Sequence, residues 1–224
     1  MFHGKAREGN MAKLSAASFF LLFLLVACSG APLQSNFSAM EPFRNPDHVV
    51  LGNGGSIALL TVMGTDRGQE HKTLLVDFVS ESIKKRNPAA KVVPYWEGLN
   101  IINSEGFTAD YALMMNEYST TGILNRRILS KFGEILGVTY FIQPKLTDFK
   151  QHQSTRFSLL GLTLFKTHES QIKLYFEVWE AKTGRIVWVG STEANMASEN
   201  YKARPVPFEE IARYAVDNLV LKMP

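Results

Sequence analysis

Cysteine is almost missing from this 224-residue chain: Cys28 is the only one, which excludes an internal disulfide framework and a Cys-rich zinc site. Excess charge is missing too. Lys and Arg number 24 against 21 Asp and Glu, a formal +3 that gives no basic field for nucleic acid. Residues 1–27 hold three basic residues and one acidic residue, so the remainder carries 21 against 20. No His pair has the His-Glu-x-x-His or i,i+4 spacing of a zinc protease, and no Gly-x-Ser-x-Gly elbow offers a serine nucleophile. No apolar run reaches the roughly 20 residues that a membrane-spanning helix needs. What remains is 46% hydrophobic, 11% aromatic and 20% charged, the composition of a folded domain. The length suits one ordinary domain with an appendage.

The appendage is N-terminal. Lys13 precedes a short run, Leu14 to Ala27, rich in Phe and Leu and closing on small residues, which is the layout of a secretory signal. Leu25-Val26-Ala27-Cys28 resembles the bacterial lipobox. That resemblance implies a signal peptide over 1–27, cleavage between Ala27 and Cys28, and lipidation of Cys28 by diacylglycerol on sulfur and an acyl chain on the new amine. Several chains on one residue supply the multiple apolar anchors that stable attachment to a bilayer requires. Ser29 stands where an Asp would resemble an inner-membrane retention signal, so the same resemblance implies the outer membrane, facing the periplasm. Translation from Met1 or from Met11 both fit, the latter giving the more ordinary signal. Residues 28–50, with Pro32, Pro42, Pro46 and scattered small polar residues, are expected to be a lipidated Cys followed by a flexible tether.

Residues 51–224 are expected to form an α/β domain. Ser56–Met63 is a continuous apolar run suited to a strand buried on both faces. Leu74, Leu75, Phe78, Val79 and Ile83 share a helical face over 69–86, and Asn87-Pro88 ends that helix. Lys91–Trp96 predicts a short strand near an edge because of Pro94. Helices are expected over 108–119 and 123–136, the second capped by Gly137. Three alternating segments follow: 138–149, 171–180 and 185–193. In the middle one Ile172, Leu174, Phe176 and Val178 face one way. Residues 181–184 make a hairpin turn, and a last helix follows Pro207. The expected order is β-α-β-α-α-β-β-β-α, a mixed β-sheet covered by helices.

Ile57-Ala-Leu-Leu60, Leu136-Gly-Val-Thr-Tyr-Phe-Ile142 and Val178-Trp-Glu-Ala-Lys-Thr-Gly-Arg-Ile-Val-Trp188 resemble one superfamily. It contains the periplasmic domain of the curli secretion lipoprotein CsgG, the exopolysaccharide lipoprotein PelC and the N-terminal domain of TolB. The resemblance spans roughly 56–222. It implies a structural or assembly role in the cell envelope or an export system, through self-association or a protein partner, and no active site. The membrane hairpins of a pore find no match here.

Other candidate chemistry is thin. His152 and His168 bracket one connection and either share a metal or are two solvated loop residues. Asp77 and Glu81 lie four apart on one helix face, the usual spacing of solvated carboxylates. Gly52-Asn-Gly-Gly55 precedes a strand, whereas phosphate loops follow one. Lys84-Lys85-Arg86 suits a helix C-terminus, with contact to lipid headgroups as the other reading. One segment stands out: Phe157, Leu159, Leu160, Leu162, Leu164 and Phe165 make a strongly apolar stretch inside a connection between strands. It either extends the flanking strands into a long hairpin over the core, or presents an apolar patch to a second copy, a partner or the membrane. The expectation is therefore a non-enzymatic, lipid-anchored envelope protein without cofactor or metal. A module that binds a small envelope ligand is the alternative, and an envelope hydrolase is disfavoured by the missing nucleophile patterns.

Overall fold

A computed structural model describes residues 34–52, 55–64, 69–159, 162–200 and 204–224. Their strands are β1 (Gln34–Arg44), β2 (Ser56–Leu59), β3 (Met63–Gly64), β4 (Lys91–Val93), β5 (Tyr140–Leu159), β6 (Leu162–Glu180) and β7 (Arg185–Asn200). Their helices are α1 (Gln69–Arg86), α2 (Tyr95–Ser104), α3 (Thr108–Thr121), α4 (Arg126–Leu136) and α5 (Phe208–Val220). The strands form one mixed sheet in the order β1-β7-β6-β5-β2-β4, with β3 also paired to β5. β2 runs parallel to both β4 and β5, whereas β5, β6, β7 and β1 are antiparallel neighbours. This is the mixed α/β architecture expected from the sequence, with β1 and α2 added to the expected order and the expected strand 56–63 divided into β2 and β3.

Two apolar layers sandwich the parallel half of the sheet. On one face Leu75, Val79 and Ile83 of α1 and Ile211, Ala215 and Leu219 of α5 pack on Ile57, Ile142, Leu174 and Val178. On the other, Ile102 of α2, Met114 of α3 and Leu129, Phe132 and Leu136 of α4 pack on Ala58, Phe141 and Trp179. Strand β2 alternates between them, Ile57 and Leu59 inward to one layer and Ala58 to the other, which is why its sequence reads as an unbroken apolar run. Gly133 lets α4 sit close to the β6–β7 turn: a Cβ there would lie 2.6 Å from that of Ala181. Gly137 ends α4 in the left-handed region at φ 61°, and Asn125 starts it by accepting from the N–H groups of Arg127 and Ile128.

Three departures from the sequence reading have physical causes. Residues 34–44, read as part of a tether, are a strand paired with β7 from Gln34↔Ala197 onward; Pro42 is tolerated because it sits at a register shift on an edge. Tyr95 and Trp96 leave the expected strand and start α2, Pro94 standing at its N-cap, where a missing N–H costs no helical hydrogen bond. The expected helix from Ile123 begins three residues later, leaving Ile123 exposed.

Candidate functional site

The polar groups gather where the β2–β5 ladder is interrupted. Leu60 N–H still donates to Ile142 O at 3.0 Å. The next residue of β5 facing that way is Pro144, which has no N–H. The ladder is thus broken after Leu60, and side chains satisfy the backbone of the next residue, Thr61. Its N–H donates to Tyr111 Oη at 2.9 Å, and its carbonyl accepts from Gln143 Nε2 at 2.8 Å. Gln143 Nε2 also donates to Pro144 O at 3.0 Å. The Thr61 hydroxyl lies 2.8 Å from Tyr111 Oη and 2.9 Å from Tyr95 Oη. Gln143 is fully buried, and its Oε1 has no protein partner.

Gln143 pairs in register with Glu177 on β6, so a second cluster adjoins the first on the same face. Glu177 is buried, yet its carboxylate is surrounded by donors. Tyr118 Oη of α3 donates to Oε2 at 2.7 Å, Trp179 Nε1 donates to Oε2 at 3.1 Å, and Lys145 Nζ lies 3.3 Å from Oε1. Lys145 Nζ also stands over the rings of Tyr118 and Tyr175, 4.8 and 5.1 Å from their centroids. Burial first, then the hydrogen bond to Glu177, pushes the Tyr118 phenol far up. Burial likewise pushes Tyr111 up to about 12, although its bonds to Thr61 oppose the shift. Both oxygens of Glu177 are thus committed to donors, an arrangement that fastens α3 to the sheet.

The residues singled out from sequence are dispersed. His152 pairs with Glu169 and His168 with Gln153, so alternation puts the two imidazoles on opposite faces; His152 is exposed and His168 buried. Among the described residues no group of three or more His, Cys, Asp or Glu is placed to hold a metal ion. Glu81 is ion-paired with Arg213 at 2.6 Å, and burial first, then the Glu81 charge, raises the Asp77 carboxyl above its ordinary value. Of the basic trio, Lys85 pairs with Asp217 at 3.3 Å, and Arg86 donates to Val220 O and, at 2.6 Å, to Met223 O. These last contacts cap the C-terminal end of α5, a different helix from the one that carries the arginine. In the glycine cluster, Gly55 N–H donates to Gly52 O at 3.0 Å in a turn that leads into β2, and Asn53 and Gly54 lie outside the described residues. Ala27, Cys28 and Leu160 also lie outside them. For Phe157, Leu159, Leu162, Leu164 and Phe165 the backbone alone is described, and it is strand: β5 and β6 stay paired through Phe157↔Phe165 to Leu159↔Leu162. The apolar stretch is the tip of one long hairpin. Lys150, Gln151, His152 and Gln153, which lead to it along β5, are exposed.

The fold and these clusters define a three-layer mixed α/β domain with a β-hairpin carried past the parallel core. Among the described residues no helix is long and apolar enough to cross a membrane. No protein-family model matches the chain, and no curated protein matches it. Solved structures similar to it include the PelC dodecamer from Paraburkholderia phytofirmans, at 7% identity over 84% of this chain and 95% of that one, with a TM-score of 0.48. A lipoprotein from Neisseria meningitidis is 12% identical over 75% of this chain and 99% of its own, with a TM-score of 0.39. A hypothetical protein from Chlamydia trachomatis is 9% identical over 75% of this chain and 95% of its own, at 0.44.

Replacing Glu177 by Ala strands Lys145 and the Tyr118 and Trp179 donors; the expected loss is roughly 3–5 kcal/mol in denaturant unfolding, with Glu177→Gln costing less. Tyr111→Phe removes the acceptor of Thr61 N–H and costs about 1–2 kcal/mol at neutral pH. Because the folded phenol titrates near 12 rather than 10, the wild-type advantage is complete below pH 10 and shrinks between 10 and 12. Paired melts of wild type and Tyr111→Phe across that range measure it; a constant difference up to pH 12 would contradict the assignment.

Proposed function

We propose that this chain is a lipoprotein of the bacterial outer membrane, held to the bilayer through acylated Cys28 and facing the periplasm. Its role there is structural or assembly-related, without catalysis, and works by self-association or capture of an envelope partner. The observation that carries the reading is the hairpin. Its strands continue past the last contacts of β5 with β2 and β3, at Ile142 and Leu146, and end in the apolar sequence Phe157–Phe165. An apolar tip on a paired β-ribbon is a contact element, since such a stretch left in water gains by being covered. The lipobox resemblance, with a basic flank, a short apolar run and the chain's single cysteine, supports the anchor.

Two outcomes are expected. Cys28→Ala moves the protein from the membrane fraction to the soluble fraction, and its recovery in membranes would refute the anchor. The full-length protein extracted in mild detergent sediments as a defined oligomer, and replacing Leu159, Leu162 and Leu164 by Ser or Thr lowers its mass. A monomer with and without those changes would remove self-association and leave a tethered adaptor.

A further inference from the structure

Two of the open stretches along the sheet's edges are protected. β4 offers three residues, begins with Lys91 and is closed by Pro94. The outer side of β5 beyond Leu146 carries the ion-paired Asp148 and Lys150, with register shifts at Leu146/Asp148 and Thr155/Phe157. Short length, charge, proline and bulges are the devices by which edges avoid pairing with other chains. β1, the last strand of the sheet, differs. From Gln34↔Ala197 to Met40↔Ser191 its register with β7 is unbroken. That stretch, Gln-Ser-Asn-Phe-Ser-Ala-Met, contains no charge and no proline, and all of it is exposed except the half-buried Ala39. The ion pair Glu41–Arg44, Pro42 and the register shift all come after Met40.

We propose that residues 34–40 of β1 are the surface through which a second copy of this chain docks, by antiparallel edge-to-edge pairing about a two-fold axis at Phe37. The inference rests on the self-association reading above and names its partner and register. A two-fold at Phe37 sets Asn36 opposite Ser38 of the other copy, Ser35 opposite Ala39 and Gln34 opposite Met40, so an uncharged strand meets itself without like charges in opposition. Phe37 is already held edge-on against Tyr214 at 5.7 Å and remains 43% exposed. Its symmetry mate covers that exposed part, an aromatic cross-strand pair at the centre of the joint. The backbone donors and acceptors along the outer side of β1 find their ladder partners, and two sheets become one.

The test is sedimentation of the full chain in mild detergent, comparing wild type, Asn36→Lys/Ser38→Lys, Asn36→Lys/Ser38→Glu and the hairpin-tip variant, each checked for intact fold by circular dichroism. The double Lys change puts like charges opposite each other twice across the axis and is expected to weaken association roughly tenfold or more. The Lys/Glu change puts opposite charges there and is expected to retain association. If the double Lys variant associates like wild type while the tip variant falls apart, self-association stands and the β1 edge is overturned. Equal disruption by both β1 variants overturns the two-fold register, and a monomeric wild type overturns both readings.

Discussion

Parallel pairing of β2 with both β4 and β5 is the constraint on which this domain is built. Parallel neighbours cannot be joined by a tight turn, so each link must cross a face of the sheet and bring cover with it. The link from β2 to β4 supplies α1 to one face, and the link from β4 to β5 supplies α2, α3 and α4 to the other. Both faces of the parallel half are thereby closed, and β2 is free to be apolar on both sides. The antiparallel half needs only turns between β5, β6 and β7, and β1, from the other end of the chain, adds to β7 as its outer strand.

Closing that second face creates a difficulty that the polar clusters resolve. Where Pro144 breaks the ladder after Leu60, the backbone groups of the next residue, Thr61, are satisfied by side chains beneath the helices. Tyr111 and Gln143 supply the partners. Beside these, Glu177 is a carboxylate under a helical layer, tolerable because a phenol, an indole and an ammonium converge on it. Such a satisfied network ties α3 to β6 with more directional demand than apolar contact alone, since any displacement strands several buried groups at once.

Much of this was legible beforehand. The periodicity of 69–86 and of 208–219 reports faces that are indeed buried, and the alternation of 171–180 gives the inner face of β6 correctly. The apolar stretch 157–165 was readable as a hairpin extension, and its backbone pairs in that way. The polar belt was not legible. Glu177 alternates with apolar neighbours like any outward strand residue, and only α3 lying over it makes it interior. The one local hint was Gln143-Pro144 inside an apolar strand, where a proline must break a ladder rung. β1 was hidden for a similar reason: its composition is that of a loop, and β7 makes it a strand by offering hydrogen bonds.

By itself the sequence determined which stretches have an apolar face, where helices stop, as at Gly137, and where the β6–β7 chain turns back, at Gly184. These follow from local sterics and side-chain period, which need no distant partner. Tertiary structure decided which element covers which face, which polar side chains end up buried, and which strand is left at the edge. Those outcomes depend on groups far apart in the chain meeting one another. A side chain's cost in the interior, or a strand's open hydrogen bonds, exists only once its neighbours are in place.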